Sequence, residues 1–284
     1  MNASQFYIFT NSFRVLFKII GLALTKKKNN NPLTIATYHS VGQNQQIELD
    51  IPLELFKKQI RYFIKNYEII SFDEAINKIE NDYFTDNWDG KKKFLVITFD
   101  DGYDNFYLDV LPLIRKMKIP VMLFPALEFI DNPEKIPLKS SVGKWKSFSP
   151  LTENQLLEIN KSELVSIGCH SYQHLDYSSL HEKEIEEQIE ISQRKRSSLN
   201  ILKCNTFCFP MGKYSDGAVN ILLKYYNYLL RGTGFVNVHK FDPLFIPRIP
   251  ILRSDGFFWF KLRIKGHLLE DLNIISGIIK RLGF

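Results

Sequence analysis

Hydrophobic positions in this chain fall into short unbroken runs, separated by stretches in which they recur every three or four residues. The runs at 33–38 (LTIATY), 94–99 (FLVITF) and 121–126 (VMLFPA) predict strands buried on both faces. LVSIGCH at 164–170, TFCFP at 206–210 and LFIPRIPIL at 244–252 read as further strands. Between them lie helices. Pro52 opens one whose Phe56, Ile60, Phe63 and Ile64 share a face, and Ser71 with Glu74 marks the start of another. A helical stretch follows at 103–117, with Pro112 inside it. Thr152 with Gln155 caps the next helix, and residues 182–199 run from acidic to basic as a helix dipole prefers. This alternation predicts a parallel sheet, open or closed, with its chemistry at the carboxyl ends of the strands.

The two ends are patterned differently. Phe6, Phe9, Phe13, Leu16, Phe17 and Ile20 recur at helical spacing, opposite a stripe of Asn11, Arg14, Lys18 and Thr25. Arg14 and Lys18 confine the uninterrupted apolar run to 19–24. That is far short of the roughly 20 residues that span a bilayer, and no small-residue cleavage site follows it, so neither a transmembrane helix nor a signal peptide is expected. At the other end, Phe257, Phe258, Trp259 and Phe260 lead into Leu268, Leu272, Ile275, Ile279 and Leu282, again at helical spacing. The expected organisation is a basic amphipathic helix and linker at 1–30, a catalytic domain at 31–256 and an amphipathic helical segment at 257–284.

Charge sharpens this division. The 284 residues carry a net +6, with +5 in residues 1–30, +3 in 257–284 and −2 in the body between them. A faintly acidic body argues against a groove for a nucleic-acid backbone, whereas basic amphipathic ends suit peripheral contact with an anionic membrane or packing on the domain. Three cysteines, Cys169, Cys204 and Cys208, make no disulfide framework and favour a reducing, cytoplasmic setting.

Three motifs carry candidate chemistry. Thr98-Phe99-Asp100-Asp101-Gly102 puts adjacent carboxylates where an apolar strand meets a glycine. Alternation along a strand points them to opposite sides, so that one binds while the other serves as a base. His170-Ser171-Tyr172-Gln173-His174 offers two imidazoles four residues apart. With a carboxylate from another strand end they make the three protein ligands of a catalytic metal site that keeps a position open for water. Phe209-Pro210-Met211-Gly212-Lys213-Tyr214 is a strand running into a Pro/Gly turn.

TFDDG, HSxxH and FxxPxGxY, in that order and each after a strand, resemble the polysaccharide deacetylase family with its NodB homology domain, over about residues 33–253. Tyr38-His39-Ser40-Val41-Gly42, Phe56-Lys57-Lys58-Gln59 and Pro247-Arg248-Ile249 resemble its branch of exopolysaccharide N-deacetylases with circularly permuted motifs. The resemblance implies an α/β fold, a distorted (β/α) barrel, and metal-dependent removal of N-acetyl or O-acetyl groups from sugars in a bacterial cell-surface glycan or its lipid-linked precursor. Asp101, His170 and His174 would hold the metal, Zn²⁺ above all, with other first-row divalent metals open. Asp100 would be the general base, His39 the general acid, and the Met211 backbone N–H the oxyanion donor. His239 and His267 are weaker candidates for the acid. The third motif lacks the family's usual arginine and its tyrosine after the proline, so Arg248 is the substitute expected to orient Asp100. A non-catalytic sugar-binding relative would have lost a ligand or the base. A phosphoesterase would want a second metal and more carboxylates, and a glycosyltransferase would not need the histidine pair.

Overall fold

The structure, a computed structural model, describes residues 14–16, 18–23, 31–43, 47–133, 148–201 and 204–268. Strands β1 (Leu33–Tyr38) and β5 (Phe94–Asp101) are buried at every position, as their apolar runs require. They lie side by side and parallel, Leu33 opposite Phe94 and Tyr38 opposite Phe99. Two short pieces, β2 (Ser40–Val41) and β3 (Asp50–Ile51), pair with each other beside the site, and β4 (Glu68–Ile69) adds to the start of β5. Beyond β5 come β6 (Val121–Pro125) and β7 (Val165–Ile167). On the other side of β1 the order is β10 (Ile246–Pro250), β9 (Tyr228–Thr233) and β8 (Thr206–Cys208). Every pairing in this eight-stranded sheet is parallel.

The sheet curls until its two ends meet. Cys169, just beyond β7, bridges to Phe207 of β8; the Cys169 N–H donates to the Thr206 carbonyl at 3.0 Å and the Cys208 N–H to the Cys169 carbonyl at 2.8 Å. This is the distorted (β/α) barrel expected from the sequence, closed by a seam at its carboxyl end.

Period-two alternation sorts the strand residues into inside and outside. Leu33, Ile35, Phe94, Val96, Met122, Phe124, Cys208, Leu230 and Ile246 form one apolar cluster, floored by Phe72, Ile76 and Ile79 of helix α2 (Phe72–Glu80). Ala36, Tyr38, Leu95, Ile97, Phe99 and Leu123 face the other way, against Phe56, Ile60 and Phe63 of α1 (Leu53–Asn66) and Ile114 of α3 (Leu111–Met117). Carrying the inward register up the strands gives Thr37 and His39, Thr98 and Asp100, and Arg248. The apolar interior therefore turns polar at the strands' carboxyl ends.

Some boundaries differ from expectation for local reasons. Ile64 is 50% exposed, and Gln59 takes its place on the buried face of α1, where it accepts a hydrogen bond from the Tyr38 hydroxyl. Over 103–117 the helix is π-type at Phe106–Val110 and becomes regular only at α3, which places Pro112 in a first turn rather than an interior. A short α4 (Glu128–Asp131) follows β6, and the Thr152/Gln155 capping box opens α5 (Glu153–Asn160) as predicted. α6 (Glu182–Ser198), α7 (Asp216–Leu222) and α8 (Phe258–Ile264) complete the order. Residues 14–16 and 18–23 are helical, but their basic residues are not the solvated face that the sequence suggests: Lys18 is buried. Phe6, Phe9, Asn11, Phe13, Phe17 and Thr25, and at the other end Leu272, Ile275, Ile279 and Leu282, lie outside the described residues. Among the described residues no helix is long and apolar enough to cross a membrane.

Candidate active site

Thr37, His39, Asp100, Asp101, His170, His174, Met211 and Arg248 all line one cleft of about 540 Å³ at the carboxyl end of the barrel. Five elements converge there, so no single segment could make the site. His239 is exposed on a turn and His267 follows α8; neither lines the cleft, whereas His39 does.

Asp100 and Asp101 correct the sequence expectation in one respect. Asp100 follows the strand's inward register. Asp101 would point outward, but its φ of 71° swings it into the same cleft, where its carboxylate meets the histidines. Such backbone is unusual for a non-glycine residue, and it recurs at Ser171 (63°), His174 (56°) and Met211 (56°) around the same site. The division of labour expected for the two acids survives in their partners. Asp101 Oδ1 lies 3.4 Å from His170 Nε2 and 3.2 Å from His174 Nε2. Asp100 instead receives Arg248.

The Arg248 guanidinium grips Asp100 as a fork: Nη1 donates to Oδ1 at 2.7 Å and Nη2 to Oδ2 at 2.6 Å. Nη1 also donates to the hydroxyls of Thr37 (2.9 Å) and Thr98 (3.0 Å), and Nη2 to the Cys208 sulfur (2.8 Å). The Thr98 hydroxyl in turn donates a hydrogen bond to the Ala36 carbonyl at 3.1 Å. Burial opposes ionisation of the Asp100 carboxyl, yet Arg248 outweighs it and holds the pKa below the usual carboxylate value. The sequence assigns no role in the site to Thr37, Thr98 or Cys208. The signal for them was the inward register of β1, β5 and β8, legible once Asp100 is placed.

The metal-ligand residues fit a divalent cation. Asp101 Oδ1 is buried without a hydrogen-bond partner among the described residues, although two imidazole nitrogens face it. Its other oxygen accepts from the Tyr103 hydroxyl at 3.0 Å, which leaves Oδ1 as the free ligand atom. His170 Nδ1 lies 2.8 Å from the Cys208 carbonyl. That acceptor requires Nδ1 to carry the proton, so the lone pair is on Nε2, toward Asp101. Ser171 Oγ accepts the His174 backbone N–H at 2.9 Å and closes the turn that returns the second imidazole to the first, 4.9 Å between ring centroids. Asp100, His170 and Cys208 form a second group at ligand spacing, but the Arg248 cation already occupies both its carboxylate and its sulfur. One metal fits here, and a second does not.

His39 Nε2 lies 3.9 Å from Asp100 Oδ2, and its Nδ1 is buried without a hydrogen-bond partner among the described residues. Burial lowers the imidazole pKa, with Asp101 and Asp100 pulling it back up. Opposite, Phe209, Met211, Gly212, Leu175 and Asp176 form the far wall.

Comparison with known proteins bears on the family and the fold. The family model described as polysaccharide deacetylase matches residues 88–228. YxkH of Bacillus subtilis is 23% identical over 68% of this chain and 62% of its own length. The poly-β-1,6-N-acetyl-D-glucosamine N-deacetylase of Escherichia coli is 29% identical over 28% of this chain and 12% of its own. The chain thus spans less than two thirds of these curated relatives. The solved structure of IcaB from Ammonifex degensii shares the fold, with a TM-score of 0.65 and 20% identity over 83% of this chain and 98% of that one.

Proposed function

We propose, on the premise that this chain carries a polysaccharide deacetylase domain, that it hydrolyses acetyl groups, N-acetyl first, from an amino sugar in a bacterial cell-surface glycan or its lipid-linked precursor. One observation carries the reading: three inward-facing ligand atoms, of Asp101, His170 and His174, share a cleft with an arginine-locked carboxylate and a third imidazole. The Escherichia coli relative is an N-deacetylase, which supports the amide as substrate.

Asp101, His170 and His174 would hold the metal, with Zn²⁺ the choice best suited to two imidazoles and a carboxylate. Such an ion supplies Lewis acidity, polarising the acetyl carbonyl and acidifying the attacking water. Asp100, its carboxylate ionised and fixed by Arg248, takes the proton from that water. The Met211 backbone N–H donates to the oxyanion as it develops. An amine leaves poorly as an anion, so His39 delivers a proton to the departing nitrogen. The competing classes fit the site less well: a phosphoesterase would need a second metal where Arg248 already engages Asp100 and Cys208, and a glycosyltransferase would not need the histidine pair.

The meeting place with substrate is read as the inner face of an anionic membrane. The basic charge at both ends and three cysteines without disulfide partners support this. The experiment is acetate release from free, nucleotide-linked, polyprenyl-linked and polymeric N-acetylated sugars, run beside metal analysis of the purified chain. Acetate from at least one substrate with one zinc per chain is the expected result. Mg²⁺ dependence without zinc, or no acetate from any of them, would overturn the reading.

A further inference from the structure

The helical stretch at 14–16 and 18–23 sits on the domain with its polarity reversed. A surface helix ordinarily buries its apolar stripe and solvates its charges. Here Lys18 is 1% exposed. Its ammonium lies 2.9 Å from Asp255 Oδ1 and donates to Ser254 Oγ at 3.0 Å. Asp255 is gripped in turn by Arg263 of α8, whose Nε donates to Oδ2 at 2.6 Å and Nη2 to Oδ1 at 3.0 Å. One turn earlier, Arg14 Nε approaches Glu48 Oε1 at 3.6 Å. The charged side of the helix is therefore its inner side.

The outer side is apolar. Leu16, Ile19, Ile20 and Leu22 are 50, 52, 37 and 39% exposed. Their three- and four-residue spacings make them neighbours on one face. In the sequence the same spacing runs back through Phe13, Phe9 and Phe6.

We propose that this outward face docks the domain onto an anionic lipid surface, lying on the bilayer rather than crossing it. The proposal rests on the membrane-side reading above and needs nothing of the deacetylase reading. Charge selects the occupant. Residues 1–30 hold five bases and no acid. Arg14 and Lys18 are engaged by the body, whereas Lys26, Lys27 and Lys28 follow the apolar stripe in the sequence. A second copy paired through this face would bring two such lysine triplets together, and the chain's own 257–284 segment, at +3, carries the same sign. Anionic headgroups alone among these neutralise the lysines while the acyl boundary takes the leucines and isoleucines. The Lys18–Asp255–Arg263 cluster then fixes how the barrel stands on the surface, since α8 and the helix share one buried carboxylate.

Flotation of the full chain with vesicles of phosphatidylglycerol and phosphatidylcholine, or of phosphatidylcholine alone, tests this. The wild type should float with the anionic vesicles and stay down with the neutral ones. Ile19→Glu combined with Leu22→Glu, at exposed positions that need not disturb the core, should cut the bound fraction at least tenfold. Lys26, Lys27 and Lys28 changed to Gln should each cost about fivefold. Acetate release from a soluble substrate and the circular dichroism of these variants should match the wild type, so a failed vesicle result and a failed deacetylase result remain separate. Unchanged binding by the Glu variant, equal binding to neutral vesicles, or a vesicle-free dimer that the Glu variant dissociates would each overturn the proposal.

Discussion

Replacing Arg248 by methionine removes the guanidinium and keeps much of the side chain's bulk. In the folded protein that group satisfies both oxygens of Asp100, two threonine hydroxyls and a cysteine sulfur, all buried. Two costs follow. Breaking one side of a buried, hydrogen-bonded ion pair typically costs about 3–5 kcal/mol, because the remaining charge is left without a partner. The second cost is catalytic: without the fork, Asp100 loses its aim and its ionised state together, and a positioned base is worth about 10²–10⁴-fold. Urea unfolding would measure the first and steady-state acetate release the second. Asp100→Asn in the Arg248→Met background separates them: stability should recover in part, since no buried carboxylate is left unpaired, while activity should stay lost. The loss should fall on kcat rather than KM, because Arg248 holds a reacting group and not the sugar. An Arg248→Met enzyme within threefold of wild-type kcat, or a double variant no more stable than the single, would refute the reasoning.

Other consequences can be checked separately. His170→Ala or His174→Ala should abolish both bound metal and turnover, whereas His39→Ala should keep the metal and lose about 10²–10⁴ in rate, as read by metal analysis and acetate release. Gly168→Ala should destabilise the domain by about 1–3 kcal/mol in urea unfolding, because the new Cβ would stand 2.2 Å from Phe124 Cε1 in a closed interior. Phe124 also packs under the Arg248 guanidinium, so activity should fall with it. Burial raises the Asp255 pKa, but Arg263 and Lys18 outweigh it and hold it below the ordinary value. The cluster therefore adds stability above about pH 4 that is lost as pH falls through the lowered pKa, and the gap between wild type and Asp255→Asn in urea should close over that range.

What the sequence made legible, and what it did not, follows from how far each signal reaches along the chain. β5 and β1 were plain because both faces are buried, and an unbroken apolar run has few other uses. β9 was not predicted: it ends in Arg231, Gly232 and Thr233, exposed or half-exposed residues that carry no strand pattern, the last two lining the cleft. β2 and β3 have two residues each, too few for any period. Among site residues, the ligand set and Asp100 sit in the motifs that carry the chemistry, whereas Arg248 lies in the short Pro247-Arg248-Ile249 match, whose residues alone do not separate a site arginine from a surface cation. Its meaning comes from Thr37, Thr98 and Cys208, three strands that only the folded sheet brings together. The turn at Asp101 escaped for a subtler reason: Gly102 beside it also has positive φ (84°), and a glycine at a strand end accounts for a turn without implicating its neighbour.

The seam between β7 and β8 couples two properties usually considered apart. The same short stretch closes the barrel through Cys169 and the Cys208 N–H and then, within the same residue, fixes the His170 tautomer through the Cys208 carbonyl. Opening the seam therefore releases a ligand's proton assignment along with the wall. Amide hydrogen exchange at Cys208 should act as a gauge of site assembly, slowing when the ligands are engaged and quickening when they are not, although the residue itself is not part of the cleft lining.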